Sequence, residues 1–297
     1  MLGIGGGGDV VGALATARLC EQVGVGVVLG GVAWERLPID PRPGPRPLEE
    51  IVDARGLAGA VVGAGPTTRT TDGATFAESH MARLLGRETL LVDILGGPKA
   101  VAAGLAESVE ELGVDLVIGV DVGGDVLGDG SEPGLASPLC DAVMLAALAR
   151  LEARGIKTLG AIFGPCCDGE LTMEEILDRL AALSAAGGFR GVWPMTTEIT
   201  DELAEVARVI PTEASAQAIR CARGETGTAT IRRGRRRVEL SPIGGLTFYF
   251  DPQRAVETVA VLARAVMDAG DLEDANEALH ERGLRTELDF ERMWTEA

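Results

Sequence analysis

Acidic side chains stand close together after several short apolar segments of this 297-residue sequence. Asp121 and Asp125 follow one segment, and Asp168 and Glu170 follow another. Crowded carboxylates repel one another unless a cation or hydrogen-bond donors stabilise them. Asp121, Asp125 and Glu170 are therefore candidate Mg²⁺ ligands, with Asp9 and Asp168 as candidate general bases. The alternatives for the loop from Asp121 are binding of sugar hydroxyls, or turns in which the aspartates cap their own backbone.

Glycines that precede predicted helices form a second kind of candidate site. Without a Cβ atom, their amides can point at a bound anion, and the helix N-terminus adds a partial positive charge of about half a unit. We interpret the first run as neither the dinucleotide fingerprint with its standard spacing nor a Walker loop, and a tight turn without a ligand is the alternative. The candidate ligand-binding glycines are Gly5, Gly6, Gly7, Gly8, Gly96, Gly97, Gly123 and Gly124.

Two basic residues and two cysteines complete the set of candidates. Lys99 stands at a helix start, and Arg69 stands among threonines, so each is a candidate phosphate ligand, with an ordinary surface position as the alternative. Cys166 and Cys167 follow an apolar segment. A thiolate near a helix start is a nucleophile, whereas small buried cysteines have no chemical role, and both interpretations stay open.

The composition excludes several classes of partner. The net charge is −18, which argues against nucleic acid and against anionic membrane surfaces, since both attract Lys and Arg. No apolar run is long enough for a spanning helix, and the start lacks the features of a signal peptide. Five scattered cysteines show no metal-ligand spacing. We expect a cytoplasmic protein that binds a small molecule, and a homo-oligomer stays open.

A repeated unit of apolar run, Gly/Asp/Pro loop and helical pattern positions these residues. It predicts an α/β, Rossmann-like fold with a mainly parallel sheet and helices on both faces. The C-terminal part differs, because residues 228–232 and 235–240 flank Arg233-Gly234 as a β-hairpin. We therefore predict one α/β domain over residues 1–297, in which the hairpin and strand of residues 225–250 extend the sheet. The arginines of this hairpin, within residues 232–237, are expected to form a solvated face, with anion binding as the alternative.

The first third of the chain is the hardest part to assign. Val25–Leu29 is predicted to be a strand that ends at two glycines. Residues 34–58 contain several prolines, including Pro38, and are predicted to have little regular structure. Residues 65–72 are predicted to be a polar loop.

Topology predicts one site from these scattered loops. In an open parallel sheet, the loops that follow the strands emerge at one edge, and ligands bind there. This brings together residues from distant parts of the chain, namely Asp9, Asp121, Asp125, Asp168, Glu170 and Lys99.

Several segments together resemble a known family. They are residues 3–12 with the glycine run, residues 30–36, residues 119–125 with Asp-Val-Gly-Gly-Asp, and residues 164–170. They resemble the family catalogued as domain of unknown function 1152, over most of the chain. The resemblance implies no established activity. A shorter similarity, at Asp129-Gly130-Ser131 and Asp141-Ala142, is to deoxyhypusine-synthase-like dinucleotide-binding folds, and no residue role follows from it.

The leading hypothesis is an enzyme that binds a phosphorylated small molecule or nucleotide and performs Mg²⁺-assisted phosphoryl transfer or hydrolysis. A second hypothesis is an enzyme that binds a dinucleotide such as NAD. A third is a non-catalytic sensor or ligand-binding subunit.

Overall fold

Helices and strands alternate along most of the chain in the computed structural model, which describes residues 1–37 and 39–295. Pro38 and residues 296–297, which belong to the predicted loop and domain, lie outside the described residues. The strands are β1 (Leu2–Gly3), β2 (Gly30–Val32), β3 (Ile51–Gly56), β4 (Val61–Thr70), β5 (Thr89–Val92), β6 (Leu116–Val122), β7 (Lys157–Phe163), β8 (Phe189–Pro194), β9 (Gly227–Ile231), β10 (Arg236–Leu240) and β11 (Leu246–Phe250). The helices are α1 (Asp9–Gln22), α2 (Ala77–Leu85), α3 (Gly97–Leu112), α4 (Pro138–Ala153), α5 (Met173–Ala185), α6 (Thr197–Val209), α7 (Glu213–Ala222), α8 (Pro252–Thr258), α9 (Val261–Val266), α10 (Leu272–His280) and α11 (Glu287–Thr295).

Nine strands form one mixed sheet in the order β3-β4-β5-β2-β1-β6-β7-β11-β8. The five central strands, β5-β2-β1-β6-β7, are parallel. Both flanks are antiparallel, with β3 and β4 on one side and β11 and β8 on the other. The predicted α/β class is confirmed, and the sheet is parallel only at its centre.

Helices cover both faces of the sheet, and each face has its own apolar core. One core is formed with α3, α4, α5 and α8 to α10. The other is formed with α1, α2, α6, α7 and the hairpin. Neighbouring residues of β7 show the division, because Ile162 packs into the first core and Phe163 into the second. Helix α4 is buried on almost every side, which leaves little room for polar side chains in it.

Several predicted elements agree with the structure. The sequence predicts strands at Leu116–Val122 and Leu246–Phe250 and a helix that begins at Pro138 and ends at Ala153, and β6, β11 and α4 have these bounds. It also predicts that Thr172 and Glu175 form a capping box, and this box opens α5, with each residue bonded to the backbone of the other. This agreement follows from local signals, since a cap or an apolar run acts over a few residues.

The structure corrects the predictions for the first third of the chain. Strand β2 lies at Gly30–Val32, after the predicted strand Val25–Leu29, because its glycines fit closely against β5. The proline-rich stretch contains β3, at Ile51–Gly56. The predicted polar loop is the second half of β4, in which Thr68 and Thr70 are buried while the residues between and before them are exposed.

The C-terminal hairpin is present but does not extend the nine-stranded sheet. β9 and β10 pair only with each other in a separate two-stranded sheet, while β11 joins the large sheet. The buried residues of the hairpin, including Ile231 and Val238, pack into the same core as Ala218 and Ile219 of α7. The hairpin therefore adds its apolar face to a helix and leaves the sheet edge free. Within the described residues, no helix is long and apolar enough to cross a membrane.

Candidate functional site

The carboxyl ends of β1 and β6 lie side by side at the centre of the sheet. From β1 the chain continues through β2 to β5 on one side, and it then crosses to β6 and β7 on the other. The loops after β1 and β6 therefore diverge and leave a crevice, which is where open α/β sheets bind ligands. Asp9 follows β1, Asp121 and Asp125 lie at the end of β6, and Asp168 follows β7.

Six carboxylates converge at this crevice in two groups of three. The first triad is Asp9, Asp121 and Asp141, and the second triad is Asp125, Asp168 and Glu170; in each triad, one oxygen per residue lies within 4.8 Å of the others. The two triads are neighbours, because the charge of Asp121 in the first is close enough to raise the pKa of Asp125 in the second. Five of the six residues are at most 6% exposed, and Asp9 is partly buried.

Gly5 leaves space for two carboxylates of the first triad. A Cβ atom on Gly5 would lie 2.6 Å from Oδ2 of Asp9 and 3.1 Å from Oδ2 of Asp141. The Gly5 amide donates a 2.9 Å hydrogen bond to the same Asp9 oxygen. The first glycine of the run thus holds Asp9 in the first turn of α1.

Gly123 has the same function in the second triad. Its φ is +132°, and a Cβ atom there would lie 2.2 Å from Cγ of Asp168. The loops after β6 and β7 are joined at this point, because the Cys166 amide donates a 2.7 Å hydrogen bond to the Gly123 carbonyl. Asp168 therefore lies directly against the backbone that follows Asp121.

Some carboxylate oxygens in the cluster have no hydrogen-bond donor among the described residues. They are Oδ1 of Asp141 and both side-chain oxygens of Asp168. Glu170, by contrast, accepts hydrogen bonds from the amides of Ala136 and Ser137, at 2.7 and 2.9 Å, and from Arg236 at 2.6 Å. A buried polar atom without a partner costs about 1–3 kcal/mol, and more if it is charged. Such atoms are the ones that a bound cation would stabilise.

Burial and mutual repulsion make ionisation of these groups unfavourable. Burial raises the pKa of Asp9 and of Asp168 to about 7, and the charge of Glu170 adds to the effect at Asp168. The pKa values of Asp121, Asp125 and Asp141 are raised well above their usual range, mainly by burial and then by neighbouring carboxylates. Two charges at such a separation repel by about 3–4 kcal/mol at an effective dielectric constant of about 20.

The spacing of the oxygens suits a hard divalent cation. Oxygen ligands on opposite sides of Mg²⁺ or Ca²⁺ are about 4–5 Å apart, which matches the span of each triad. The cluster is covered by protein, and two surface cavities, of about 280 Å³ beside Glu239 and about 430 Å³ beside Asp251, are lined by none of the six carboxylates.

The glycine run is tightly packed against its surroundings. The Gly7 amide donates to the Trp34 carbonyl at 2.8 Å, and Arg36 donates to the Gly5 carbonyl at 2.6 Å while it stacks 4.1 Å from the Trp34 ring. A Cβ atom on Gly8 would lie 2.6 Å from Thr212. Because the Gly5 and Gly7 amides have partners, they are not available to a phosphate. Gly6, at φ +76°, faces the Trp34 carbonyl.

Other candidates lie apart from the carboxylates. Lys99 donates to the Asp268 carbonyl at 2.9 Å, and a Cβ atom on Gly97 would meet the backbone of residues 269 and 271. Gly96 precedes it in the same turn. Arg69 lies on β4 rather than in a loop, and its guanidinium pairs with Asp53 of β3. The structure therefore does not bring these residues to the predicted site. Gly124 lies beside the cluster, but it faces the side chain of Ile176.

The two predicted cysteines are buried. Burial raises the pKa of Cys166 to about 12, so this thiol is protonated at neutral pH. Cys167 hydrogen-bonds Cys221 of α7. A thiolate nucleophile at Cys166 has no support from this environment.

Sequence reasoning missed Asp141 as a site residue. It is the one acidic residue in the first three turns of α4, a helix whose other residues there are apolar and buried. A carboxylate in such a helix is almost never fully buried without a function or a partner, so its composition carried the signal. Arg36 was also missed, and its partners Glu287 and Glu291 come from α11, far away in the sequence.

The fold and the cluster define an α/β protein whose buried acidic residues converge between β1 and β6, where the order of the parallel strands reverses. The chain belongs to the family described as protein of unknown function DUF1152, which matches residues 1–295. The resemblance drawn from the glycine run and the Asp-Val-Gly-Gly-Asp segment is thereby confirmed. No curated protein and no solved structure is detectably similar to the chain.

Proposed function

We propose that this protein is an enzyme that binds Mg²⁺ at the carboxylate cluster and acts on a phosphorylated small molecule or nucleotide. The observation that carries the proposal is the convergence of six carboxylates, with unpartnered oxygens on Asp141 and Asp168, at the carboxyl edge of parallel strands. Divalent cations satisfy such oxygens and bridge them to substrate phosphates. The reaction class is phosphoryl transfer or hydrolysis.

Asp168 is suited to act as general base. Neither of its oxygens has a donor in the described protein, so one oxygen can bind the cation while the other accepts a proton. In the metal-free protein burial raises its pKa to about 7. A bound cation would favour the ionised form and lower this pKa, so the carboxylate would be ionised at neutral pH and able to accept a proton. Water or a substrate hydroxyl would transfer its proton to Asp168. The oxygen of that water or hydroxyl would attack phosphorus as the bond between phosphorus and the leaving oxygen breaks. Asp9, with a similar pKa, is the second candidate for this role.

Positive charge near the cluster favours an anionic substrate. The hairpin of β9 and β10 places Arg236 against Glu170, and the charge of Arg232 lowers the pKa of Asp9. Guanidinium groups bind phosphate oxygens through paired N–H donors. The acidic cluster alone would repel a phosphate, so these arginines and the cation together make its binding favourable.

The proposal is tested by thermal unfolding of the full chain with Mg²⁺ or Mn²⁺, followed by a panel of nucleotides and sugar phosphates. We expect the cation alone to raise the midpoint, and a phosphorylated ligand to raise it further only when the cation is present. A ligand at 100 times its Kd adds about 2.7 kcal/mol. Asp121→Asn should reduce the effect of the cation and remove the further effect of the phosphorylated ligand, because Asp121 is a ligand of the first triad and lies beside Asp125 of the second.

Asp129→Asn is the matched control. Asp129 lies in the same loop but pairs with Arg179 and belongs to neither triad. It should keep the response of the wild type. A midpoint that no divalent cation changes would contradict the proposal.

A dinucleotide such as NAD is the second candidate ligand, because the central strands have a Rossmann-like order. Numbered along the chain, the parallel strands run 3-2-1-4-5 across the sheet, as in dinucleotide-binding folds. Gly3, Gly5 and Gly8 also stand at the spacing of the dinucleotide fingerprint, so the sequence-based interpretation that this spacing was lacking is wrong. Bound cofactor released from the purified protein, or stabilisation by NAD without a cation, would favour this candidate.

Two contacts favour the cation over the dinucleotide. The space at Gly5, where a pyrophosphate would approach, is filled by the Asp9 and Asp141 carboxylates. Glu35 follows β2, at the position where dinucleotide-binding folds carry the acidic residue that binds the ribose. Its carboxylate instead accepts a hydrogen bond from the Ala77 amide. A dinucleotide would have to displace both arrangements.

A further inference from the structure

We propose that the cluster holds two divalent cations, one in each triad, so that the site is binuclear. This inference rests on the proposed function and specifies how its cations are arranged. It is carried by the division of the six carboxylates into two separate sets, each with its own unpartnered buried oxygen.

The first triad takes its ligands from three different elements. Asp9 begins α1, Asp121 lies in β6, and Asp141 lies in the first turn of α4. Asp141 is 2% exposed and its Oδ1 has no donor among the described residues, whereas Oδ2 of Asp9 accepts a hydrogen bond from Gly5. A bound cation would satisfy this buried oxygen of Asp141, which the protein leaves without a partner.

The second triad is incomplete without a positive charge of its own. Arg236 donates to Oε1 of Glu170 and to the backbone carbonyl of Asp168, but to neither side-chain oxygen of Asp168. Asp168 is 5% exposed. The arginine thus neutralises Glu170 and leaves the Asp168 carboxylate unsatisfied, so Arg236 does not replace a cation here.

A single cation does not account for both triads. Its ligands lie within about 2.0–2.6 Å, so one ion centred in the first triad would leave the Asp168 oxygens in the second without a partner. The two triads are nevertheless neighbours, because Asp121 and Asp125 are four residues apart and Asp168 lies against the backbone at Gly123, between them, in the contact that joins the two triads. Two ions would therefore lie side by side along this contact.

Paired cations fit the class of chemistry proposed above. In two-metal sites, one ion binds the attacking oxygen and the other stabilises the leaving oxygen of a phosphoryl group. The first triad borders the glycine run, and the second borders the hairpin arginines through Glu170. A phosphoryl group bound across both ions would thus have Arg236 on its second-triad side.

The experiment is a count of bound Mn²⁺ on the full-length chain by equilibrium dialysis, with electron paramagnetic resonance of the bound ions. We expect two ions per wild-type chain with a spin-coupled spectrum. Asp141→Asn and Asp168→Asn should each retain one ion and show the uncoupled six-line spectrum, and Asp129→Asn should retain two coupled ions.

The outcomes separate this inference from the proposed function. One ion per wild-type chain would overturn the binuclear site and leave a Mg²⁺-dependent enzyme standing. No bound ion would overturn both. Should either aspartate variant fail to fold, the wild-type chain still tests the binuclear site. Two ions without spin coupling would overturn it, because the second ion would then lie outside the neighbouring triad.

Discussion

Asp168 shows how one residue depends on another that has no side chain. Its carboxylate occupies the space that a Cβ atom on Gly123 would fill. The sequence marks Asp168 as a candidate because it follows an apolar run, and it marks Gly123 as a possible anion ligand. The structure gives the glycine a different role, as a position that admits the carboxylate to the centre of the site.

A second buried acidic pair lies close to Asp9 of the cluster. It consists of Glu35, which follows β2, and Glu78, which lies in α2. Glu35 and Glu78 are 3% and 1% exposed, and Oε2 of Glu78 has no donor among the described residues. Burial raises the pKa of Glu35 to about 7, and burial followed by the charge of Glu35 raises that of Glu78. Ionising this pair in the folded protein is therefore unfavourable.

The pair predicts how stability depends on pH. Because the pKa of Glu35 is higher in the folded state than the ordinary glutamate value of 4.5, its stabilising contribution is full below that value and is lost as pH rises through about 7. Glu35→Gln keeps an acceptor for the Ala77 amide and cannot ionise. We expect the wild type to lose up to about 3 kcal/mol more than this variant between pH 5 and pH 8, measured by urea unfolding.

Glu205→Gln is the control for this measurement, since Glu205 is exposed on α6 and pairs with Arg208. It should follow the pH dependence of the wild type. Equal pH dependence in wild type and Glu35→Gln would show that Glu35 ionises in the folded state without cost.

At the scale of elements, α1 lies unusually close to the sheet. A Cβ atom on Gly12 would lie 2.5 Å from Cγ2 of Val122 and 2.8 Å from the Phe163 ring. Glycine in the middle of a helix costs up to about 1 kcal/mol relative to alanine. Its presence here is explained by the close approach, which also sets the position of Asp9 at the start of the helix.

Gly12→Ala is therefore expected to destabilise the protein despite its better helix propensity. Overpacking of this kind costs about 1–3 kcal/mol, so the unfolding midpoint should fall. The shift of α1 should also weaken Mn²⁺ binding, because Asp9 moves with the helix. Gly26→Ala is the control, since a Cβ atom there meets nothing within 4 Å. Equal midpoints for the two variants would contradict this account of α1.

Elements with strong local signals were predictable, and those set by distant contacts were not. The apolar run that forms β6 and the capping box that begins α5 each depend only on residues that are neighbours in the sequence. The glycines of β2 looked like the end of a strand, but they are the strand, because Leu90 of β5 and Glu78 of α2 leave no room for side chains. The second half of β4 looked like a loop because its polar residues are consecutive and follow Gly65-Pro66, so no alternation of apolar and polar residues indicates a strand.

The candidate site was predictable in outline for the same physical reason. Parallel topology places the ends of β1, β6 and β7 at one edge whatever the details of their loops, and this brought Asp9, Asp121 and Asp168 together. The same rule places Asp141 at this edge, since α4 follows β6, but Asp141 was overlooked because it stands inside an apolar helix rather than in a polar loop. Lys99 was misplaced because its helix directs it to Asp268, at the far side of α3.

At the scale of the whole molecule, the net charge of −18 opposes compactness. Like charges spread over a folded chain repel one another, and salt screens the repulsion. We expect the unfolding midpoint to rise as NaCl is increased from 10 to 200 mM, by roughly 2–4 °C for each kcal/mol gained. The measurement is made with a chelator present, so that the divalent site does not contribute.

An unfolding midpoint that stays constant or falls in this salt range would contradict the prediction. It would mean that local ion pairs already offset the repulsion between the acidic residues. KCl at the same ionic strength is a suitable reference, because screening depends on ionic strength and not on which monovalent salt supplies it. Equal rises in the two salts would identify screening of the whole molecule as the cause.

The shortest strand of the large sheet has a consequence for the time course of folding. β1 has two residues, lies between β2 and β6, and pairs Gly3 with Val120. A strand so short cannot form until partners far along the chain arrive, and such distant pairings are slow. Asp9 and Asp121 therefore meet only in the last stages of folding. A cation encounters no half-formed site on the way, and its presence should slow unfolding far more than it speeds folding.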